Sequence, residues 1–262
     1  MIMATADYFP TAIHRAAADV IVAHFGDALG VAAVLLLNSC ARGVGTPQSD
    51  LDMAVLLDRS VPAGVERFQA QWDDLYATDA ALQQLRKLGQ FTGVHLDILT
   101  GDYAPTTWDD GGGPDAFELE IGNHVAYSVP LWSNGSQYES LRAAWLPYYD
   151  ETLRRQRLEM VRAACCYDLD FVPFYVGREL YFHAFDRLYK AWQEFLQALF
   201  IARRVYPLAY NKWIRLQVVD WLRLPELYKE LPHILQISRL ESDELTHKAA
   251  YLRSLLDTWT TS

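Results

Sequence analysis

The chain has 262 residues, 51% of them hydrophobic and 21% charged, which excludes a disordered protein and suits one large domain or two smaller ones. Its formal net charge of −10 argues against a long nucleic-acid partner, because proteins that bind nucleic-acid phosphates usually present a basic face. Three cysteines do not form a disulfide framework, the chain does not open with a secretory signal pattern, and no apolar stretch reaches membrane-spanning length. We therefore expect a cytoplasmic protein that does not engage a membrane.

The first predicted element is a helix over residues 10–25, with Pro10 near its start. Its apolar side chains recur at the spacing of one helical face, which predicts that this face packs against a core. Two glycines, Gly26 and Gly30, follow the helix. The apolar run over residues 31–37 is then typical of a buried strand.

Two carboxylates open the next predicted strand, which covers residues 51–57. Asp50 and Asp52 are two residues apart, so in a strand their side chains point to the same face. Converging carboxylates are the ligands that Mg²⁺ takes up together with substrate phosphates. An isolated Asp-x-Asp is more often a solvated strand end. Here, however, a short polar turn and a glycine-containing loop lie between the two strands, which favours a magnesium site.

A helix is predicted over residues 62–88, and a half-buried strand follows it over residues 91–100. Apolar side chains alternate along this strand with His95 and Asp97, which therefore share its polar face. We interpret His95 as a solvated residue, because no partner for it is evident in the sequence.

The region from the first strand to Asp52 resembles the nucleotidyltransferase superfamily that includes DNA polymerase beta, the kanamycin and lincosamide nucleotidyltransferases and the minimal nucleotidyltransferases. The family pattern is a hydrophobic strand, Gly-Ser, often Ala-Arg-Gly, and then Ser-Asp-h-Asp-h, where h is hydrophobic. The matching residues are Ser39, Ala41, Arg42, Gly43, Ser49, Asp50 and Asp52. Asn38 stands where the family has glycine. Because asparagine tolerates a left-handed backbone better than most residues, we expect the turn to be retained.

The resemblance implies an α+β fold, with a nucleotidyltransferase domain over residues 1–135, built on a mixed sheet flanked by helices, and an all-α helical bundle over residues 136–262. It also implies transfer of a nucleoside monophosphate from an NTP, ATP foremost, with release of pyrophosphate. Two Mg²⁺ ions would be held by Asp50, Asp52 and Asp97, the last matching the third carboxylate of the family. The nucleotide-binding residues implied near the turn are Asn38, Ser39, Arg42, Gly43 and Ser49. The acceptor expected is an antibiotic-like small molecule or a protein hydroxyl, and the protein is expected to be a monomer or homodimer.

Residues 102–114 are predicted to be a loop, a connector rather than a lid. Residues 117–121 and 125–132 are predicted to be two strands joined at a Gly122-Asn123 turn. Glu118 and Glu120 would then share one face and are our candidates for the general base. A solvated edge strand is the other interpretation of this pattern.

The rest of the chain is predicted to be helical, with long helices over residues 149–167 and 174–206. The second helix carries a polar stripe at steps of four and three residues: His183, Arg187, Lys190, Glu194 and Gln197. The stripe is either a solvent face or a face lining the cleft toward the first domain, where Arg187 and Lys190 would bind the nucleotide. Asn211 is predicted to cap a helix that starts near Lys212, and a helix start beside a lysine suits an anion.

Two other functions are compatible with the sequence. One is a nucleotide-binding module that kept the fold with weak or no catalysis, which the substitution at Asn38 favours. The other is an antitoxin-like protein that modifies or masks a partner, although such relatives are usually shorter and have no large helical domain.

Overall fold

The computed structural model describes residues 8–59, 64–108 and 110–261. The chain divides into two compact units, one formed by Met1–Tyr103 and Ile121–Pro147, the other by Ala104–Glu120 and Tyr148–Ser262. The boundary that we placed at residue 135 falls inside the first unit. The segment before Ile121 belongs to the second unit because Asp115 and Glu118 form ion pairs with Arg157 there.

The first unit is a mixed four-stranded sheet with helices. Its sheet has the order β3-β2-β1-β4, in which β2 and β3 are parallel and the other neighbours are antiparallel. The elements are α1 (Ala12–Phe25), β1 (Val31–Leu36), α2 (Asn38–Ala41), β2 (Leu51–Leu57), α3 (Val65–Thr78), α4 (Ala80–Leu85), β3 (Val94–Leu99), β4 (Val129–Ser133) and α6 (Gln137–Trp145). Together with a helical second unit, this confirms the predicted α+β class.

The central strands explain the apolar runs in the sequence. All six residues of β1 are buried, as expected for a strand covered on both faces. Strand β3 instead buries Val94 and Leu96 and exposes His95 and Asp97, which confirms the predicted alternation. The core beneath the sheet is completed by α1, whose buried residues include Ile21 and Phe25.

The helix predicted over residues 62–88 is divided into α3 and α4, and residues 62 and 63 lie outside the described ranges. Asp79 has an extended backbone, and its side chain accepts hydrogen bonds from the amides of Ala81 and Leu82. This is N-cap geometry, so Asp79 ends one helix and begins the next. Phe68 and Leu82 are buried on the two helices, so both contribute to the predicted core face.

The second unit is helical. Its described elements are α5 (Phe117–Ile121, whose last residue belongs to the first unit), α7 (Glu151–Val176), α8 (Tyr181–Arg203), a π-helical segment (Leu216–Trp221), α9 (Pro225–Leu235) and α10 (Glu244–Trp259). Residues from α7, α8, α9 and α10 form one hydrophobic core, with Phe195 and Phe200 of α8 completely buried. None of the helices in the described part of the chain is both long and apolar enough to cross a membrane.

One predicted strand is wrong, and the break between the two long helices is misplaced. Residues 117–121 form helix α5 and Gly122–Ala126 form a π-helical turn, so the expected strand pair is reduced to β4. The side chain of Asp115 accepts a hydrogen bond from the amide of Phe117 at the start of α5, which caps the helix. The long helices are also divided later than predicted. Helix α7 continues through Pro173 to Val176, and the chain reverses at Glu179, where φ is +60°.

Candidate functional site

The parallel pairing of β2 and β3 brings the predicted carboxylates together in the first unit. Asp52 lies opposite His95, and Ala54 lies opposite Asp97. Side chains paired across a sheet share a face, and so do side chains two residues apart along a strand. Asp50, Asp52, His95 and Asp97 therefore lie on one face near the starts of both strands. The pairing register of β2 and β3, and not the sequence of either strand alone, brings these acidic side chains together.

The turn after β1 places Asn38 next to Asp52. The φ angle of Asn38 is +51°, which confirms that this position adopts the left-handed conformation that glycine would otherwise supply. The Asn38 side chain also forms a hydrogen bond with the Asp52 carboxylate. Burial raises the pKa of Asp52 above its usual value, while this hydrogen bond and the nearby His95 oppose the rise.

Two histidines accompany the outer carboxylates. His95 Nε2 lies 3.9 Å from Asp50 Oδ2, and His124 Nε2 lies 3.6 Å from Asp97 Oδ2. His124 was missed by our sequence analysis because it belongs to the π-helical turn that we interpreted as a hairpin. Its side chain is only 16% exposed, whereas that of His95 is 66% exposed. The exposed imidazole of His95 is thus the one accessible to a substrate.

Arg42 lies at the C-terminal end of the short helix α2, close enough to Asp52 for their charges to interact. Burial lowers the pKa of its guanidinium, and the negative charge of Asp52 and the phenol of Tyr127 act in the opposite direction. Arginine remains protonated in proteins, so this residue supplies a fixed positive charge beside the carboxylates. That charge is consistent with the phosphate-neutralising role predicted for Arg42.

The loop between α2 and β2 is held by several polar contacts. His14 of α1 forms a hydrogen bond with the carbonyl oxygen of Ser49 at 3.0 Å, and Ser49 Oγ accepts from the amide of Thr46 at 2.9 Å. Gly43 has a φ of +68° and no atom near the position of a Cβ, so its backbone conformation alone accounts for the glycine. The phosphate-binding role of Ser39 remains a prediction.

The carboxylates of Asp50, Asp52 and Asp97 are suitable ligands for Mg²⁺, but their oxygen atoms do not surround a common metal position. Within residues 8–59, 64–108 and 110–261, no group of three His, Cys, Asp or Glu side chains is arranged to hold a metal ion. Asp50 Oδ1 is nevertheless buried without a hydrogen-bond partner among the described residues, and Asp52 feels the charges of both Asp50 and Asp97. Carboxylate oxygens of this kind suit a hard cation in their chemistry. Side-chain rotations would be needed for Asp50, Asp52 and Asp97 to share an ion.

The two glutamates predicted as general bases are in a helix of the second unit, where residues two apart do not share a face. Glu118 is completely buried, and its carboxylate receives hydrogen bonds from Arg157, Tyr149 and Gln197 at 2.7–2.9 Å. These contacts occupy both oxygens, so Glu118 is engaged in holding the second unit together. Glu120 is exposed, and nothing around it indicates a function.

The cationic residues predicted to bind nucleotide also belong to the second unit. Arg187 donates a hydrogen bond to Asp168 at 2.5 Å, and Lys190 forms an ion pair with Asp186 at 2.9 Å. The helix predicted near Lys212 begins two residues later, at Ile214, and continues into the π-helical segment. Its first hydrogen bond runs from the amide of Gln217 to the carbonyl of Trp213, where φ is +58°, so Asn211 is not its cap. The anion-binding role of Lys212 remains a prediction.

Comparison of the sequence with protein-family models gives no match, and a search of curated proteins gives no significant match. The chain's own residues must therefore indicate its chemistry.

Proposed function

We propose that the chain is a metal-dependent nucleotidyltransferase, which moves a nucleoside monophosphate from an NTP to a hydroxyl acceptor. The observation that carries this proposal is the common face of Asp50, Asp52 and Asp97 on the parallel strands β2 and β3. The turn at Asn38 and the charge of Arg42, both beside Asp52, support it further. The acceptor expected is a small molecule or a protein side chain.

The reaction would form a bond from the acceptor oxygen to the α-phosphorus of the NTP and break the bond from that phosphorus to the β-phosphate oxygen. Pyrophosphate leaves, and the hydroxyl proton passes to a base. Mg²⁺ held by Asp50, Asp52 and Asp97 would supply charge stabilisation for the phosphates. Arg42 would hold the leaving phosphates by charge-assisted hydrogen bonds. His95 lies on the same face with an exposed imidazole, which suits it to receive the proton.

The test is incubation of the protein with α-labelled NTPs and Mg²⁺ in the presence of aminoglycosides, lincosamides or a cell extract. The expected result is label transferred to one acceptor, with one pyrophosphate released for each transfer. Asp52→Asn is the matched control, because it removes the negative charge and keeps the size and shape of the side chain. If label reaches no acceptor with any NTP, or if the control protein transfers label equally well, the proposal is wrong.

A second candidate is a nucleotide-binding protein that keeps this fold with weak or no catalysis. Two observations favour it: the three carboxylates are not gathered around one point in the described residues, and the Asn38 side chain occupies one acceptor position of Asp52. Equilibrium dialysis with a non-hydrolysable ATP analogue and Mg²⁺ measures binding, and the assay with α-labelled NTPs measures transfer. Saturable binding of the analogue together with no transfer from labelled NTP would support this second function, whereas binding together with transfer supports the first.

A further inference from the structure

The second unit contains a partly open cavity of ≈ 430 Å³, lined by residues 106–108 and 112–115 and by residues of helices α7 and α8. This volume is within the range of about 300–1,000 Å³ that is usual for small-molecule sites. Helix α7 contributes an apolar wall of Met160, Val161 and Ala164, and helix α8 contributes Glu194 and Gln197. The polar stripe noticed in the sequence of α8 therefore does not lie on a solvent face at these two residues, which are both 1% exposed.

Glu194 is the unusual member of this lining. Both of its carboxyl oxygens are buried and lack a hydrogen-bond partner among the described residues. Protein interiors satisfy nearly all buried polar atoms, and an orphaned carboxyl group is especially unfavourable. Two carboxyl oxygens without a partner, on one buried side chain that lines a cavity, are suited to bind a ligand in that cavity.

The charged side chains around Glu194 already have partners of their own. Those on α7, on α8 and on the loop form the pairs Asp168 with Arg187, Asp186 with Lys190, and Asp115 with Arg157. The neighbouring thiol of Cys165 donates to the carbonyl of Ala191. None of these described cations is paired with Glu194. Burial raises the pKa of Glu194 to about 9, with Asp168 acting in the same direction and Arg187 and Lys190 opposing it. The carboxyl group is consequently protonated and neutral at pH 7.

We propose that this cavity binds a small molecule that has a planar polar edge with adjacent hydrogen-bond donor and acceptor, as in a carboxamide, a lactam or an aminated heterocycle. A neutral carboxyl group presents an O–H donor and a carbonyl acceptor in one plane, which is the complement of such an edge. Trp108 and Met160 offer an aromatic ring and a polarizable thioether for the faces of the ligand. Trp108 is itself positioned edge-on against Tyr167, with ring centroids 5.1 Å apart.

A cationic ligand fits the same cavity less well. The positive charges of Arg187 and Lys190 are close enough to lower the pKa of Glu194, so a bound ammonium group would be repelled by them. Gln197 supplies no compensating charge, because its amide is neutral. The site lies within the second unit and does not depend on the nucleotidyltransferase activity proposed for the first.

Calorimetric titration of the full chain with adenine, cytosine, uracil and nicotinamide tests the proposal, with n-butylamine as the cationic comparison. At least one planar probe is expected to bind with a stoichiometry of one. Glu194→Gln should retain this binding, because an amide presents the same donor and acceptor, whereas Glu194→Leu should weaken it at least about tenfold. Binding to the natural protein should also decline as the pH rises past about 9, where Glu194 ionises, while binding to the Gln variant should not.

Ala164→Met provides a second variant, because it fills the cavity from α7 and leaves Glu194 unchanged. It should weaken binding of the same probe, and it keeps the proposal testable if Glu194→Leu does not fold. The proposal is overturned if none of the four probes binds at about 10 mM. It is also overturned if the Glu194→Leu and Ala164→Met variants bind a probe as tightly as the natural protein does. It is also overturned if n-butylamine binds and Glu194→Gln abolishes that binding, which would identify a cation site.

Discussion

At the scale of single residues, Asn38 has two separable roles in the turn after β1. Its backbone adopts a φ of +51°, and its side chain forms a hydrogen bond with Asp52. Glycine would satisfy the backbone alone, and alanine would satisfy neither role. Asn38 therefore adopts the backbone conformation for which the nucleotidyltransferase pattern uses glycine, and at the same time it touches a predicted metal ligand.

Substitutions at Asn38 should separate these roles. We expect Asn38→Ala to lower the free energy of unfolding by about 1–2 kcal/mol, because alanine is strained in the left-handed region. Asn38→Gly should cost clearly less, since glycine adopts this conformation readily. Urea unfolding of the three proteins measures the difference. Equal losses in both variants would mean that the hydrogen bond to Asp52, and not the backbone, determines stability here.

Asp52→Asn should abolish transfer without weakening the fold. Burial raises the pKa of the Asp52 carboxyl, so its ionised form is less favourable in the folded protein than in the unfolded chain. Stability from this group is greatest at low pH and falls as the pH rises through the raised pKa. The Asn variant should therefore melt at the same temperature as the parent or slightly higher at pH 7, and the difference should vanish in acid. A clearly lower melting temperature at pH 7 would contradict this account.

At the scale of elements, the second unit is organised by ion pairs that the loop and α5 make with α7. Arg157 binds both Asp115 and Glu118, and it is itself only 2% exposed. Nearby, Gly111 lies against the guanidinium of Arg187, where a Cβ atom would overlap it. The segment that we expected to be a simple connector and a hairpin is thus anchored at two points to α7 and α8.

Removing Arg157 should be costly because it leaves Glu118 charged and buried without its partner. We expect Arg157→Met to lower the free energy of unfolding by about 3–5 kcal/mol. Combining it with Glu118→Gln should restore part of this loss, since the uncompensated charge is then gone. Thermal unfolding of the single and double variants measures both effects. A double variant less stable than Arg157→Met alone would show that the ion pair is not the source of the loss.

Gly111→Ala and Gly135→Ala form a matched pair. Both glycines have positive φ angles, +71° and +81°, so both substitutions carry the same backbone strain of about 1 kcal/mol. Only at Gly111 does the added methyl group also meet a side chain, whereas the space at Gly135 is open. Gly111→Ala should therefore be the less stable variant in chemical denaturation. Equal stabilities would indicate that Arg187 moves away from the loop at no cost.

At the scale of the whole molecule, charge favours a small acceptor over a nucleic acid. The chain has 23 lysines and arginines against 33 aspartates and glutamates. In addition, many of the arginines in the second unit are engaged by acids, including Arg154, Arg157, Arg187 and Arg253. A nucleic-acid site needs several lysines or arginines free to contact phosphates. A negatively charged surface instead attracts cations, so we expect it to attract a polycationic acceptor such as an aminoglycoside.

Gel-shift titration with tRNA and with single-stranded RNA at low salt checks this prediction. We expect no stable complex. Tight binding whose affinity falls log-linearly with salt concentration would instead reveal phosphate contacts and move the protein toward RNA modification. A control with Arg42→Ala would then show whether the site in the first unit takes part.

The sequence by itself determined the features that depend on local pattern. The buried runs of β1 and β2, the alternation of β3 and the spacing of Asp50 and Asp52 are visible in a few consecutive residues, because side-chain direction in a strand has a period of two. The left-handed turn at Asn38 and the N-cap at Asp79 also have local signals, although we overlooked the second.

Only the tertiary structure decided the features that depend on partners far along the chain. Residues 117–126 have a strand-like pattern, but they are helical where Glu118 meets Arg157, 39 residues away, and where Gln197 closes the same network. Likewise, the sequence of α8 does not show whether its polar stripe faces solvent or the protein interior. The structure shows that Glu194 and Gln197 are buried and that they line a cavity together with residues 106–108 and 112–115. Buried ion pairs and cavities form between segments that are far apart in the chain. The spacing of residues within one segment therefore cannot predict them.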